Sequence, residues 1–305
     1  KESKPDACGL VQLRHQAELS EMYGTTYGYF SSISPTMVSH LERKVAHLKE
    51  FVKPIKGDVV LDIGCNDGTL LNAYSSESGL VRIGTDPSSK KFASNFQPDI
   101  QVVYDFFSEK AVRLMIGERK CRIITSIAMF YDLDDPIAFM HQIRALLEKN
   151  GVWALELSYL PLLCTQLTYD QICHEHVTYF SLSHIDWMMK KTGMQILDVS
   201  FNDINGGSFY IYAGCDDGPH QPNTAKIKQI LDAEKPLDTE VPYKHLRNRV
   251  LAHREEIRNF FDLTRAAGKR VYGYGASTKG NIVLNYSGVT KNDLIAIGDR
   301  NQEKD

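Results

Sequence analysis

The run Asp58-Val-Val-Leu-Asp-Ile-Gly-Cys-Asn-Asp-Gly68 decides the fold. Its first six residues read as a strand. Gly64, Asn66 and Gly68 then supply a tight turn, asparagine being among the few non-glycine residues that tolerate positive φ. A strand ending in such a turn lets backbone approach a nucleotide-type ligand closely. Working downstream, strand-like runs recur at 80–85, 100–104, 121–128 and 152–157, with segments of helical length between them. The clearest of these is Pro136 to Glu148, closed by Gly151. Upstream, Ser34-Pro35 reads as an N-cap and first turn, and Met37, Leu41, Val45, Leu48 and Val52 form one apolar helical stripe. Strand and helix in alternation predict an α/β fold with a parallel, doubly wound sheet. Residues 194–202 and 208–214 predict a hairpin around Asn205-Gly206-Gly207.

Three segments follow from this reading. Residues 1–33 are irregular, and residues 34–215 carry the doubly wound unit. Residues 216–245 lose periodicity around Pro219, Pro222, Pro236 and Pro242, which places a boundary there and leaves 216–305 as a second unit. That unit holds a long charged helix over 244–267, a strand-turn-helix Arg270-Val-Tyr-Gly-Tyr-Gly-Ala-Ser-Thr-Lys-Gly280, and a strand over 294–298. So few elements cannot bury a core alone, so the second unit is expected to be incomplete at Asp305 or to lean on the first.

Bulk composition narrows the function. A chain of 305 residues has room for about two domains, and 43% hydrophobic with 24% charged residues is ordinary for a globular protein. With a net charge of -3 and no block of Lys and Arg, nucleic acid is not an expected partner. No apolar run approaches the roughly 18 residues of a membrane helix, and the first ten residues have no signal-peptide core. Cysteines at 8, 65, 121, 164, 173 and 215 form no C-x-x-C pair, which argues against a zinc ribbon or disulfide framework and for a reducing cytoplasm.

The first glycine loop departs from the dinucleotide fingerprint G-x-G-x-x-G. Asp62 stands just before Gly64, Asp67 lies inside the loop, and Asp86 ends the next strand 18 residues beyond Gly68, placed to accept from ribose hydroxyls. Nearby acids suit a cationic sulfonium and an ammonium group better than a pyrophosphate. The loop resembles motif I of class I methyltransferases, V-L-D-I-G-C-x-x-G. The resemblance implies S-adenosylmethionine as cofactor and a class I methyltransferase Rossmann-like doubly wound sheet. In that fold Phe106 would stack on the adenine and Asp105 accept its amino group; the competing reading makes Phe106 and Phe107 core residues. A glycine turn that binds nothing is the plain alternative for the loop itself.

Tyr169-Asp-Gln-Ile-Cys173-His174-Glu175-His176-Val-Thr-Tyr179-Phe180 is the densest polar cluster, and it follows the 152–157 strand at the edge where open α/β sheets bind ligands. His174 and His176 lack a third metal ligand of suitable spacing, so no metal is expected. Acid–base work is more economical, since imidazole titrates near neutrality and Glu175 can orient it. A satisfied structural histidine pair is the alternative.

Here the resemblance becomes specific. Tyr27-Gly-Tyr29-Phe-Ser-Ser32, the Gly64 loop, Tyr169-Asp170 with His174-Glu175-His176, and Asn205-Gly-Gly-Ser208 occur in this order in sugar C-methyltransferases that act on C3 of nucleotide-linked 4-keto-6-deoxyhexoses. Gly273-Tyr-Gly275-Ala-Ser277-Thr-Lys279-Gly280-Asn281 resembles the C-terminal domain of that family, a second, partial Rossmann-like domain. The resemblance implies that His176 removes the C3 proton, that Glu175 assists, and that Tyr27 or Tyr29 reaches in from the N-terminal segment. It also brings His174, Tyr169, Asn205 and Ser208 to the site. Three departures stand out. Cys173 replaces a common tyrosine, and Asn205 replaces a common histidine. Of the family's four-cysteine zinc module only the segment from Cys8 to Leu13 has a counterpart, with Pro5 three residues before Cys8.

Gly273, Gly275 and Gly280 lie between a strand and a helix, where backbone N–H groups and the helix N-terminus favour phosphate. Ser277 and Lys279 fall in the loop, and Asp299 ends the next strand. The likeness implies a sugar-nucleotide diphosphate there. Rival readings are an O- or N-methyltransferase acting on a sugar, a noncatalytic nucleotide-sugar-binding module, and, least favoured, a dehydrogenase.

Overall fold

The computed structural model describes residues 9–18, 22–23 and 27–299. Cys8 and Pro5 lie outside the described residues, whereas the rest of the Cys8–Leu13 segment is described. Seven strands form the central sheet among the described residues: β1 Val59–Ile63, β2 Val81–Thr85, β3 Gln101–Val103, β4 Cys121–Ile127, β5 Leu147–Ser158, β6 Met194–Asn202 and β7 Ser208–Cys215. Their order is β3-β2-β1-β4-β5-β7-β6. β1 to β5 run parallel, and β7 is antiparallel to both β5 and β6.

Why the strands read as near-continuous apolar runs is clear from the layers. Val59, Leu61 and Ile63 of β1 and Trp153, Leu155 and Leu157 of β5 enter one core. Val60, Val152 and Ala154, their alternates, enter the other. The second core is covered by α1 Pro35–Val52 through Leu41, Val45, Leu48 and Val52. Helices Pro136–Leu146 and Leu182–Lys191 cover the first through Phe139, Ile143, Ile185 and Met189. A parallel sheet buried on both faces has no polar alternation to show. Burying one such side chain contributes about 1.5–3 kcal/mol, so the apolar runs outweigh any local propensity.

Two expectations are corrected. The 136–148 helix ends at Leu146, and Leu147 opens β5 directly, so Gly151 is a strand residue. A Cβ on Gly151 would stand 2.8 Å from the Cys121 carbonyl oxygen, at the irregularity between β4 and β5. Glycine there answers a close backbone approach. Second, the stretch 216–245 is not aperiodic. It contains the helix Thr224–Glu234, whose Ile227 joins the first core. Asn223 caps it by accepting from Lys226 N–H.

Beyond it, the helix Val241–Ala266 precedes a small parallel pair, β8 Gly273–Tyr274 and β9 Ile297–Gly298, connected through helix Thr278–Tyr286. Near the start of the chain, Val11–Gln12 pairs antiparallel with Thr178–Tyr179, directly after the His-Glu-His segment. No helix among the described residues is long and apolar enough to cross a membrane.

Candidate active site

The chain leaves β1 for β2 on one side and returns from β3 to β4 on the other, so the crevice at the carboxyl ends of β1 and β4 is the topological switch point where such sheets bind ligands. A cavity of about 930 Å³ opens there. Asp62, Gly64, Asn66 and Asp86 line it from the first glycine loop and the end of β2. Gly64 has φ 74°, and an added Cβ would press on the Met129 side chain at 3.2 Å. Gly68, at φ 82°, leaves no room for a Cβ, which would lie 2.7 Å from the Phe96 ring. These glycines hold a turn that a larger residue would deform. Asp62 is buried, and its Oδ1 accepts from the Thr125 hydroxyl at 2.5 Å. Burial, with the nearby Asp86 charge, pushes its carboxyl up to about 7 against that hydrogen bond. Asp86 Oδ2 accepts from Asn66 N–H at 3.0 Å, which ties β2 to the turn.

The N-terminal segment is clamped onto this loop. Ser31 N–H donates to Asn66 Oδ1 at 3.0 Å, Ser32 N–H donates to Asp67 Oδ2 at 2.8 Å, and Asn66 Nδ2 donates to the Tyr29 carbonyl at 3.0 Å. Asp67 is thereby a structural anchor, and neither it nor Gly68 lines the cavity. Tyr27 and Tyr29 do line it. Burial, followed by the charges of Glu175 and Asp132, holds the Tyr27 hydroxyl well above its usual range.

Glu175 and His176 enter from the opposite wall. His176 Nδ1 lies 2.9 Å from the Gln171 carbonyl oxygen. A carbonyl only accepts, so Nδ1 carries the proton and Nε2 holds a lone pair. The ring packs on Tyr131 with centroids 4.3 Å apart. Burial, then the Lys279 charge, depresses His176 to about 4, so the imidazole is neutral at ordinary pH. Cys173, Glu175 and His176 also bring ligand-type atoms within 4.8 Å of one another, a convergence that the spacing of the two histidines did not reveal. Burial holds the Cys173 thiol up, which disfavours the thiolate that a metal would need.

Besides Asp67 and Gly68, other expected site residues stand outside the cavity wall. His174 is turned outward, its side chain 61% exposed and its Nε2 3.8 Å from Glu175. Tyr169 is buried, but its hydroxyl meets His253 Nδ1 at 3.1 Å and its ring meets Tyr286. It joins the His-Glu-His segment to the later helices rather than facing the cavity. Asp105 lies outside the cavity wall, its Oδ1 accepting from Phe106 N–H at 2.7 Å, although Phe106 and Phe107 do line the wall. Ser208 is buried and donates to the Ile204 carbonyl at 2.9 Å.

The second glycine loop closes the same cavity. Ser277, Lys279 and Asp299 line it, as does Asn205 from the hairpin turn. Ser277 caps helix Thr278–Tyr286, accepting from Gly280 N–H at 3.0 Å, and Ala276 N–H donates to Asp299 Oδ2 at 2.6 Å. Gly275 lies in an adjoining groove, and Gly273 backs onto Ile297 in β9.

Residues that sequence reasoning passed over complete the wall. Ala128 takes φ 55° at the end of β4 and leads into Tyr131 and Asp132, both lining residues. Glu156, inside β5 near its carboxyl end, has His40 Nε2 at 2.8 Å and Lys44 Nζ at 3.1 Å. Burial pushes its carboxyl up, but these two partners outweigh that and hold it below the usual range. Only the helical phase of His40 and Lys44, four residues apart on α1, hinted at that pairing.

Residues 37–199 match the family described as methyltransferase domain, and residues 203–305 match that described as C-methyltransferase C-terminal domain. The C-methyltransferase NovU of Streptomyces niveus is 26% identical over 289 residues, covering 94% of this chain and 68% of that protein. A tRNA U34 carboxymethyltransferase of Campylobacter lari is 31% identical over 134 residues, covering 41% of this chain and 45% of that protein. The solved magnesium protoporphyrin IX methyltransferase of Synechocystis PCC 6803 has a TM-score of 0.44 at 13% identity, over 58% of this chain and 82% of that one.

Proposed function

We propose a substrate and a mechanism from the premise that the chain belongs to the methyltransferase-domain family and is an S-adenosylmethionine-dependent C-methyltransferase. The acceptor is carbon C3 of a nucleotide-linked 4-keto-deoxysugar. One observation carries this reading: a single cavity is walled by the first glycine loop, by His176 with Glu175, and by the second glycine loop with Lys279 and Asp299. Residues 34–215 hold the methyl donor and the base, and residues 216–305 hold the nucleotide.

The donor set fits the cofactor. Gly64 keeps clear the space that a Cβ would fill, Asp62 offers a carboxylate for an ammonium group, and Asp86 stands at the end of β2 for ribose hydroxyls. When bound, S-adenosylmethionine supplies an electrophilic methyl group.

The chain's own residues act on the acceptor. His176 Nε2 takes the C3 proton, which is acidic because it lies α to the C4 ketone. The C–H electron pair moves into the ring bond, and the carbonyl pair moves onto oxygen. Nδ1–H remains on the Gln171 carbonyl and fixes the ring as charge develops. Glu175 faces the same cavity and supports the imidazolium. Lys279 supplies positive charge, and Ser277 with its helix N-terminus supplies N–H donors for the diphosphate. Tyr27 and Tyr29 cover the sugar from the N-terminal side. Holding base and acceptor together is worth several kcal/mol of barrier.

Incubation with a nucleotide 4-keto-6-deoxyhexose in deuterated water, without methyl donor, tests this. Deuterium appears at the carbon next to the ketone, and His176→Ala abolishes its appearance while methyl-donor affinity holds. No exchange, with methyl transfer to oxygen once donor is added, would replace this reading with O-methylation.

A further inference from the structure

Asp132 has a role that the family comparison does not assign. It ends the single 3-10 turn Phe130–Asp132 that follows β4, is 5% exposed, and lines the cavity. Its two oxygens differ. The Tyr23 hydroxyl donates to Oδ2 at 2.8 Å, whereas Oδ1 is buried without a hydrogen-bond partner among the described residues. The titratable groups around it come from three directions: Tyr23 and Tyr27 from the N-terminal segment, Tyr131 beside it, and Cys173, Glu175 and Tyr179 from the His-Glu-His segment. None of these is a cation.

We propose that Asp132 is a neutral carboxylic acid whose Oδ1–H donates a hydrogen bond to the substrate oxygen that gains charge when His176 takes its proton. This rests on the reading of His176 as the base on a keto substrate. Burial first, and then the Glu175 charge, hold the carboxyl well above the usual carboxylate range; the Tyr23 hydrogen bond opposes them without prevailing. Since Tyr23 donates to Oδ2, that oxygen is the acceptor and the proton sits on Oδ1. Oδ1 is closed to solvent as the side chain stands, so the proposed hydrogen bond includes a small turn of the carboxyl on ligand entry that gives this unpaired polar atom its acceptor. A carboxylic acid held neutral in an apolar site is a strong donor to an oxyanion. The step balances without further reagents. The C–H bond breaks, its proton forms N–H on Nε2, its electron pair becomes the new carbon–carbon π bond, and the carbonyl pair settles on oxygen. Asp132 keeps its proton throughout.

The same exchange assay, run on Asp132→Ala and Asp132→Asn, decides the matter. Asp132→Ala should lower the exchange rate constant by about 10²–10³ with substrate affinity within about threefold, the size of a lost oxyanion donor. Asp132→Asn keeps an N–H donor in place and should retain exchange within about tenfold of the unsubstituted protein. The unsubstituted protein should lose exchange on the alkaline side as Asp132 ionises, and Asp132→Asn should lack that fall. Exchange by Asp132→Ala within about threefold of the unsubstituted protein overturns the proposal, as does Asp132→Asn failing as completely as Asp132→Ala. If Asp132→Ala also loses methyl-donor affinity through misfolding, the pH profile of Asp132→Asn decides: an unchanged alkaline fall overturns it. Absence of exchange in the unsubstituted protein sinks the keto-sugar reading and this proposal together, whereas a loss confined to the variants bears on Asp132 alone.

Discussion

Lys279 Nζ lies 3.5 Å from Oδ1 of Asn205, so the second glycine loop meets the hairpin turn at the wall of the cavity that holds His176. Lys279 thereby adds its charge to burial in depressing the imidazole to about 4.

Replacing that charge should therefore strengthen the base. In Lys279→Met the acid limb of the exchange profile moves up from about 4, though burial keeps it below the ordinary histidine value. A pH series of exchange rates reads this directly. An acid limb that stays put would show that the two groups are not coupled.

Asp62 predicts a pH-dependent methyl-donor affinity. Its carboxyl, pushed up to about 7 by burial, must ionise to meet a cationic ligand. Affinity should rise with pH, by about tenfold between pH 6 and pH 8, as one proton is released. Asp62→Asn should bind more weakly at pH 8 and show no such rise. Calorimetric titrations at several pH values check both.

Tyr169→Phe should leave exchange within about twofold, because the hydroxyl meets His253 and not the cavity. Its cost is one partly buried hydrogen bond, about 1 kcal/mol of stability. A large loss of exchange with unchanged stability would return Tyr169 to the catalytic group.

Glu234 should matter to stability far more than its distance from the site implies. Its carboxylate accepts from Leu182 N–H at 2.6 Å, Ser183 N–H at 2.8 Å and the Tyr159 hydroxyl at 2.8 Å, and the residue is buried. Glu234→Ala strips the start of helix Leu182–Lys191 of that cap and should cost about 2–4 kcal/mol in denaturant unfolding. A cost under about 1 kcal/mol would mean that water replaces the carboxylate freely.

These residues also show where sequence reading reaches and where it stops. The sheet was legible because strands buried on both faces must be apolar throughout, and because Gly64 and Gly68 need positive φ at a fixed place after β1. His176 was legible from its place after β5. Asp132 was not, because Phe130-Tyr-Asp-Leu-Asp-Asp135 reads as an ordinary acidic loop before a helix, and its burial comes partly from Tyr23, 109 positions away. Glu156 hides in the same way, being a charge in a strand whose partners lie on α1. The helix Thr224–Glu234 was masked by the prolines around it, although Ile227, Ile230 and Leu231 keep helical spacing. Tyr169 and His174 misled by proximity: neighbours in the chain of a cavity-lining residue need not share its direction.

Two described parts of the amino-terminal segment meet the chain at both sides of the cavity. At one point its Val11–Gln12 ribbon grips the chain just past the imidazole, with Leu13 N–H donating to the Val177 carbonyl at 2.8 Å. Further along, Ser31 and Ser32 hold the donor turn. Under the proposed mechanism the imidazole and the methyl source face each other across one cavity, and each of these two attachments steadies one side of that gap. Loosening either should therefore blur the reacting distance without unfolding the sheet.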